Sequence, residues 1–305
     1  MLEVDNLLIS FIQYQTGLKQ KTLQVISDLN IKISAGEILA IVGSSGSGKS
    51  LLAHAILGIL PKNALVSGTM LYDGKELTPQ LQKKLRGNEI ALIPQSVNFL
   101  DPLMKVGAQV RSSVHDGKSK EKQKKLFNRY ALESRVESLY PFQLSGGMAR
   151  RVLVASAVVG GAKLIIADEP TPGLHPEVVK ETLHHLRELA NQGCAVMLIT
   201  HDIGTALSVA DNIAVFYSGT TIEIAPSSDF SGKGEALRHP YTKALWNALP
   251  QNGFTPIEGF QPSHSESHTG CLFESRCSVK SKECLCEAPI SRELRFGKVR
   301  CHHAT

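Results

Sequence analysis

The sequence has 305 residues, 42% of them hydrophobic, and a net charge of +5, enough chain for one large α/β domain with an appendage and a sizeable buried core. The charge is mild and not gathered into an arm, which excludes nucleic acid as the main partner. No apolar stretch reaches the ~18 to 20 residues needed to span a bilayer, and the start, with Glu3 and Asp5, lacks the basic-then-apolar order of a signal peptide, so the expected compartment is the cytosol.

In chain order, Leu2-Glu3-Val4 and Leu29-Asn30-Ile31-Lys32-Ile33 read as strand segments joined by a polar stretch in which Gly17 forms a turn. A small sheet of this kind can flank a nucleotide. Phe11 is the candidate to stack on an adenine ring, ahead of Tyr14, and the competing reading of either is a core aromatic.

The apolar run Ile38-Leu39-Ala40-Ile41-Val42 leads into Gly43-Ser44-Ser45-Gly46-Ser47-Gly48-Lys49-Ser50, a full match to the phosphate-loop pattern G-x-x-x-x-G-K-[ST]. An apolar-periodic segment, 51–60, starts with Leu51, so the loop lies between a buried strand and a helix, as the motif requires. The glycines let backbone N–H groups turn inward around an anion, the helix start adds partial positive charge, and Lys49 reaches the outer phosphates. Ser50 is the Mg²⁺ ligand expected of that pattern. An ordinary glycine-rich turn would not explain Gly-Lys-Ser at its end.

Gly68-Thr69-Met70-Leu71-Tyr72-Asp73-Gly74 reads as a strand ending in an Asp-Gly turn, and Ile90-Ala91-Leu92-Ile93 as a strand that stops at Pro94, so that Gln95 begins a loop. From about 98 to 160 the pattern is helical. The lysine-rich run from Lys118 to Lys125 within it reads as a solvated helix face. Leu144-Ser145-Gly146-Gly147-Met148 then precedes a helix-period run, with Ser145 as N-cap and the glycines leaving backbone amides open to an anionic group. Leu164-Ile165-Ile166-Ala167 is a buried strand ending in Asp168-Glu169, a pair that can divide its labour, Asp168 toward a metal and Glu169 toward a water. Ala195-Val196-Met197-Leu198-Ile199 runs into Thr200-His201, which puts His201 at a strand's carboxyl end, where open α/β sheets bind ligands. A terminal hairpin is expected across 217–220.

Taken in order, 43–50, Gln95, Leu144-Ser145-Gly146-Gly147-Met148, Asp168-Glu169 and His201 resemble the ATP-binding subunits of ABC transporters, over residues 1 to about 230. His239-Pro240-Tyr241-Thr242-Lys243-Ala244-Leu245 and a later cysteine cluster are similar to the C-terminal region of the peptide, nickel and opine importer branch. The resemblance implies a P-loop NTPase core of the α/β class with a RecA-like sheet, an antiparallel β subdomain and a helical insertion at about 98–160, together making a nucleotide-binding domain over 1–232. A small cysteine-containing region occupies 233–305.

By the same resemblance the cofactors are ATP and Mg²⁺. Gly43, Ser44, Gly46, Ser47, Gly48, Lys49, Ser50 and Leu51 bind the nucleotide, Asp168, Ser50 and Gln95 serve the metal, Glu169 polarises the attacking water, and His201 contacts the γ-phosphate. Gln95 also links nucleotide and permease. Two subunits pair head to tail, so Ser145, Gly146 and Gly147 complete a partner's site. Implied partners are a second, different ATPase subunit, two permease subunits and, indirectly, an extracytoplasmic binding protein, with this chain peripheral on the cytoplasmic face of the inner membrane. The substrate class is peptides, nickel, or metal-chelate or opine-like compounds.

One position departs from the family. In Pro170-Thr171-Pro172-Gly173-Leu174-His175, His175 stands where an aspartate is usual, so a carboxylate that crosses the dimer interface is missing. An asymmetric pair of ATP sites is the expectation, and a largely regulatory subunit is the alternative.

Cys271, Cys277, Cys284 and Cys301 follow the spacing C-x5-C-x6-C-x16-C, with Cys286 extra. Four thiolates can hold a [4Fe–4S] cluster or a tetrahedral zinc, and His302 and His303 can contribute to zinc. Reduced thiols in a packed tail are the bland reading. Cys194, beside a strand, is expected to be a small core residue.

Overall fold

The computed structural model describes residues 1–14, 19–114, 117–262 and 269–305, in two compact units. The first unit contains Met1–Lys32, Leu39–Leu77 and Thr200–Thr305; the second contains Ile33–Ile38 and Thr78–Ile199.

In the first unit, β1 (Leu2–Tyr14), β2 (Gln20–Ile33), β4 (Ala64–Tyr72) and β5 (Lys75–Glu76) form an antiparallel sheet in the order β2-β1-β4-β5. Alternation writes this sheet: Leu2, Val4, Leu7 and Ile9 on β1, with Ile26, Leu29, Ile31 and Ile33 on β2, are buried. The strands are far longer than the segments legible in the sequence, because polar residues on their exposed faces carry β structure without an apolar signature. The predicted turn residue Gly17 lies outside the described residues. Asp73 and Gly74 both take positive φ, 47° and 74°, the tight turn expected there, and the short strand β5, which the sequence reading did not include, follows it.

β3 (Ile38–Gly43) is buried along its whole length and runs parallel to β9 (Asn212–Tyr217), with Gly43 opposite Phe216. A hairpin through Ser218 and Gly219, both at positive φ, joins β9 to β10 (Thr220–Pro226). The C-terminal strands β11 (Ser291–Leu294) and β12 (Gly297–Arg300) extend this sheet, with β12 antiparallel to β10. Helices α1 (Lys49–Leu57), α7 (Ile203–Leu207), α8 (Pro240–Asn247) and α9 (Lys282–Cys286) complete the unit.

In the second unit, β6 (Ile90–Ile93), β7 (Leu164–Asp168) and β8 (Ala195–Thr200) are consecutive parallel strands. α2 (Pro79–Leu85) precedes β6 and α6 (Pro176–Asn191) crosses from β7 to β8, the connection that parallel strands require. Between β6 and β7 the described residues contain α3 (Val106–Arg111), α4 (Ser119–Arg129) and α5 (Gly146–Val158) with short 3-10 turns, the helical insertion expected at 98–160. α4 carries the lysine run and buries only Gln123 and Phe127, so the lysines are a solvated face.

Candidate nucleotide site

The phosphate loop opens at Gly43, where a Cβ would approach the Phe216 carbonyl to 2.5 Å, so only glycine lets β3 and β9 close here. Gly48 starts α1 at φ 95°, a left-handed conformation that frees the turn before the helix. The Lys49 ammonium is buried and donates to the Gly43 and Ser44 carbonyls, both at 2.9 Å. These bonds hold its head over the loop. Ser47 is fully buried, and among the described residues its hydroxyl has no hydrogen-bond partner. A buried hydroxyl left so in the phosphate loop fits a site made for phosphate oxygens. Ser50 and Leu51 are half-buried on the first turn of α1. His201 is exposed just past β8, where Asp202 caps α7 by accepting from the Gly204 amide at 2.8 Å. Phe11, opposite Ala64 in the antiparallel sheet, is half-buried.

In the second unit, register brings the other predicted residues to one end of three strands. Ile93 pairs with Ala167, and Asp168 with Ile199, so Gln95, Asp168 and the end of β8 share the carboxyl edge. Asp168 and Glu169 are both buried. Glu169 has φ 47°, an uncommon conformation for a non-glycine residue, and its amide donates to the Ile199 carbonyl at 2.9 Å. Gln95 is exposed, and the segment after it leaves Val97, Phe99, Leu103 and Met104 exposed as well.

Ser145 caps α5, its hydroxyl accepting from the Met148 amide at 3.3 Å. A Cβ at Gly146 would meet nothing within 4 Å, and one at Gly147 only Val178 at 4.0 Å. Among the described residues nothing demands glycine at either position. Arg150, one turn further along α5 and buried, donates to the carbonyls of Pro94 and Gln95 at 2.8 and 2.7 Å, and burial lowers its pKa. The sequence reading missed this residue, although an arginine one turn after a Ser-Gly-Gly helix start was a signal. His175 caps α6 with no side-chain hydrogen bond and is exposed.

Among the cysteines, Cys284 and Cys301 are buried, Cys271 and Cys277 half-buried and Cys286 exposed. Burial pushes the Cys271 thiol up to about 11 and raises Cys277 and Cys301; neighbouring cysteines of the same four push in that direction too. The Phe273, Val279 and His303 amides donate to the sulfurs of Cys271, Cys277 and Cys301, each from two residues downstream. The ring nitrogens of His302 and His303 face Glu283, the Glu287 carbonyl and Ser281. Among the described residues no three His, Cys, Asp or Glu side chains are gathered into a ready metal-binding group, so the thiols are neighbours but not a closed ligand set.

The ABC transporter family model matches residues 26–172, and the model for the oligopeptide/dipeptide transporter C-terminal region matches 222–284. The dipeptide transport ATP-binding protein DppD of Haemophilus influenzae is 32% identical over 99% of this chain and 95% of that protein. The chain belongs to the ATP-binding proteins of oligopeptide and dipeptide ABC transporters. The oligopeptide transport ATP-binding protein OppD of Bacillus subtilis is 35% identical over 92% of this chain and 82% of that protein. Among solved structures, cbiO1 from Clostridium perfringens, part of the ABC transporter complex cbiONQ, matches with a TM-score of 0.61 and 27% identity over 75% of this chain and 89% of that one. The dimeric MJ0796 ABC transporter cassette, at TM-score 0.64 and 24% identity over 74% of this chain and 99% of that one, shares the fold. As an ABC ATPase with a P-loop NTPase core, this chain is an ATP hydrolase.

Proposed function

We propose that this chain is the ATP-hydrolysing subunit that drives a peptide importer, peripheral on the cytoplasmic face of the membrane and docked on two permease subunits. The observation that carries the reading is that one chain joins the ATPase cassette to the peptide-transporter C-terminal region. Relatives named for dipeptide and oligopeptide transport favour peptides over nickel or opine-like substrates. The exposed apolar side chains after Gln95 supply a surface for a permease helix, and among the described residues no helix is long and apolar enough to cross a membrane.

In this reading the loop amides and Lys49 bind the outer phosphates, while Ser50, Asp168 and Gln95 would hold Mg²⁺, whose chemistry there would be to neutralise charge developing on them. Glu169 orients a water, His201 donates toward the γ-phosphate, and Phe11 stacks on the adenine. The site is completed by the corresponding helix start of a second, different ATPase subunit in a head-to-tail dimer, and Ser145, Gly146 and Gly147 of this chain complete that subunit's site in return. Two glycines with open space above them support a surface that something outside the chain approaches. The exposed His175 supports the second reading, an asymmetric pair in which the partner does most of the hydrolysis.

Cys271, Cys277, Cys284 and Cys301 would hold a [4Fe–4S] cluster. Three downstream amides aimed at sulfur suit thiolates, and the engagement of both His302 ring nitrogens and of His303 Nε2 argues against a histidine-assisted zinc. Anaerobic purification from solubilised membranes tests the whole reading. Co-purifying permeases, peptide-stimulated ATP hydrolysis and visible absorbance with about four irons per chain are the expected outcome; a lone, colourless, metal-free chain would contradict it.

A further inference from the structure

Beyond the cluster, the C-terminal region reaches the phosphate loop itself. Tyr217, at the end of β9, is buried among C-terminal aromatics, with the Tyr241 ring centroid at 4.5 Å and that of Phe273 at 5.4 Å. Arg276, between Cys271 and Cys277, donates to the Tyr217 hydroxyl at 3.2 Å and to the carbonyls of Glu258 and Ile257 at 2.8 and 3.2 Å. The Ser218 hydroxyl holds the Pro262 carbonyl at 3.3 Å. Residues 257–262 are therefore pinned at both ends.

Within this pinned stretch, beside Pro262, the Gln261 side chain accepts a hydrogen bond from the Ser44 hydroxyl. The buried Tyr241 hydroxyl meets the same Ser44 hydroxyl. A carbonyl oxygen can only accept, so Ser44 donates to Gln261, and Gln261 and Tyr241 together bracket the Ser44 side chain from the C-terminal region. The backbone of Ser44 is engaged as well, since its carbonyl receives Lys49 at 2.9 Å. One residue thus links the C-terminal region to the ammonium that meets the phosphates.

We propose that Gln261 and Tyr241 are positioning residues for the phosphate loop, fixing Ser44 and through it Lys49, with Arg276 anchoring them to the cysteine loop. A glycine-rich loop ordered before nucleotide arrives does not lose that freedom on binding, so the contact tightens Mg²⁺-ATP. The proposal rests only on ATP occupying the loop, and not on the substrate or the cluster.

The test is a double-mutant cycle in the full transporter complex on Ser44→Ala and Gln261→Ala, with Tyr241→Phe as a third variant that keeps the ring in its aromatic cluster. Calorimetric titration with Mg²⁺-ATP gives affinity; steady-state kinetics separate KM for ATP from kcat. Expected for Gln261→Ala and Tyr241→Phe is about five-fold weaker binding, the weight of one net hydrogen bond, a matching rise in KM and a kcat within about two-fold, while Ser44→Ala, in the loop itself, should bind at least as weakly. The double variant should be no weaker than Ser44→Ala alone, because the two share one interaction. Arg276→Ala should shift KM the same way. Unchanged or tighter binding in Gln261→Ala and Tyr241→Phe, or additive losses in the double variant, would overturn the proposal. A wild type that fails to bind Mg²⁺-ATP would instead overturn the assignment of the loop.

Discussion

Arg150 donates to the backbone carbonyl of Gln95 at 2.7 Å, with the Pro94 carbonyl beside it at 2.8 Å. The helix whose first turn carries Ser145, Gly146 and Gly147 therefore grips the segment on which Gln95 sits. In the proposed dimer, a partner's nucleotide at the glycines and a permease at the Gln95 segment would be coupled through this one buried guanidinium. Lysine lacks the planar fork that serves two carbonyls at once. Arg150→Lys should keep Mg²⁺-ATP binding but lower peptide-stimulated hydrolysis about ten-fold, and Arg150→Ala, which strands two carbonyls, should cost roughly 2–3 kcal/mol of stability. Stimulated ATPase rates and chemical denaturation check both; full stimulation in Arg150→Lys would remove the coupling role.

His175 occupies the N-cap of α6 without accepting an amide hydrogen bond. Aspartate there accepts one and adds negative charge at the helix start. His175→Asp should raise stability by about 1 kcal/mol and, if the proposed asymmetric pair holds, raise hydrolysis by supplying the carboxylate that its interface lacks. A thermal melt and ATPase rate on the same sample check it; a more stable but no faster enzyme would detach His175 from the asymmetry.

Glu169 combines burial with a left-handed backbone at φ 47°. Glu169→Gln keeps the shape and removes the charge, so nucleotide binding should persist while hydrolysis at that site falls by on the order of 3 kcal/mol of barrier. With unequal sites, this substitution and its counterpart in the partner subunit should lower total turnover by different amounts. Equal losses would leave the asymmetry without support.

His239 is buried beneath Phe273, and burial lowers its pKa from 6.5 to about 3. Its Nδ1 accepts from the Tyr241 amide at 3.0 Å, which requires a neutral ring. Between those two values the unfolded chain binds a proton that the folded chain refuses, so stability falls as pH drops from about 6.5 toward 3. His239→Asn retains an acceptor for the amide but does not titrate. Its stability should decline less steeply over this window in denaturant melts at stepped pH; parallel profiles would contradict the assignment.

Much of this was legible in the sequence, for reasons that differ residue by residue. The phosphate loop, β7 with Asp168-Glu169 and the Ser145 cap announce themselves because short apolar strands and glycine-bearing helix starts are local chemistry. The long strands β1 and β2 were legible only at their ends, since their polar outward faces dilute the alternation. Arg150 carries a local hint, but its partners at Pro94 and Gln95 lie more than fifty positions away. Gln261 gives no signal at all: a glutamine before a proline acquires meaning only when the fold lays it against Ser44. Cysteine spacing suggested a metal, whereas the three downstream amides on sulfur emerge only from backbone geometry.

The most direct measurement is ATP hydrolysis by the reconstituted transporter, with its permeases and binding protein in proteoliposomes, with and without a dipeptide, for wild type and Lys49→Ala. Expected is hydrolysis that the peptide stimulates in the wild type and that falls with Lys49→Ala by on the order of 3 kcal/mol of barrier, together with loss of ATP-driven peptide uptake. Peptide uptake that continues undiminished in Lys49→Ala would contradict the role given to this chain.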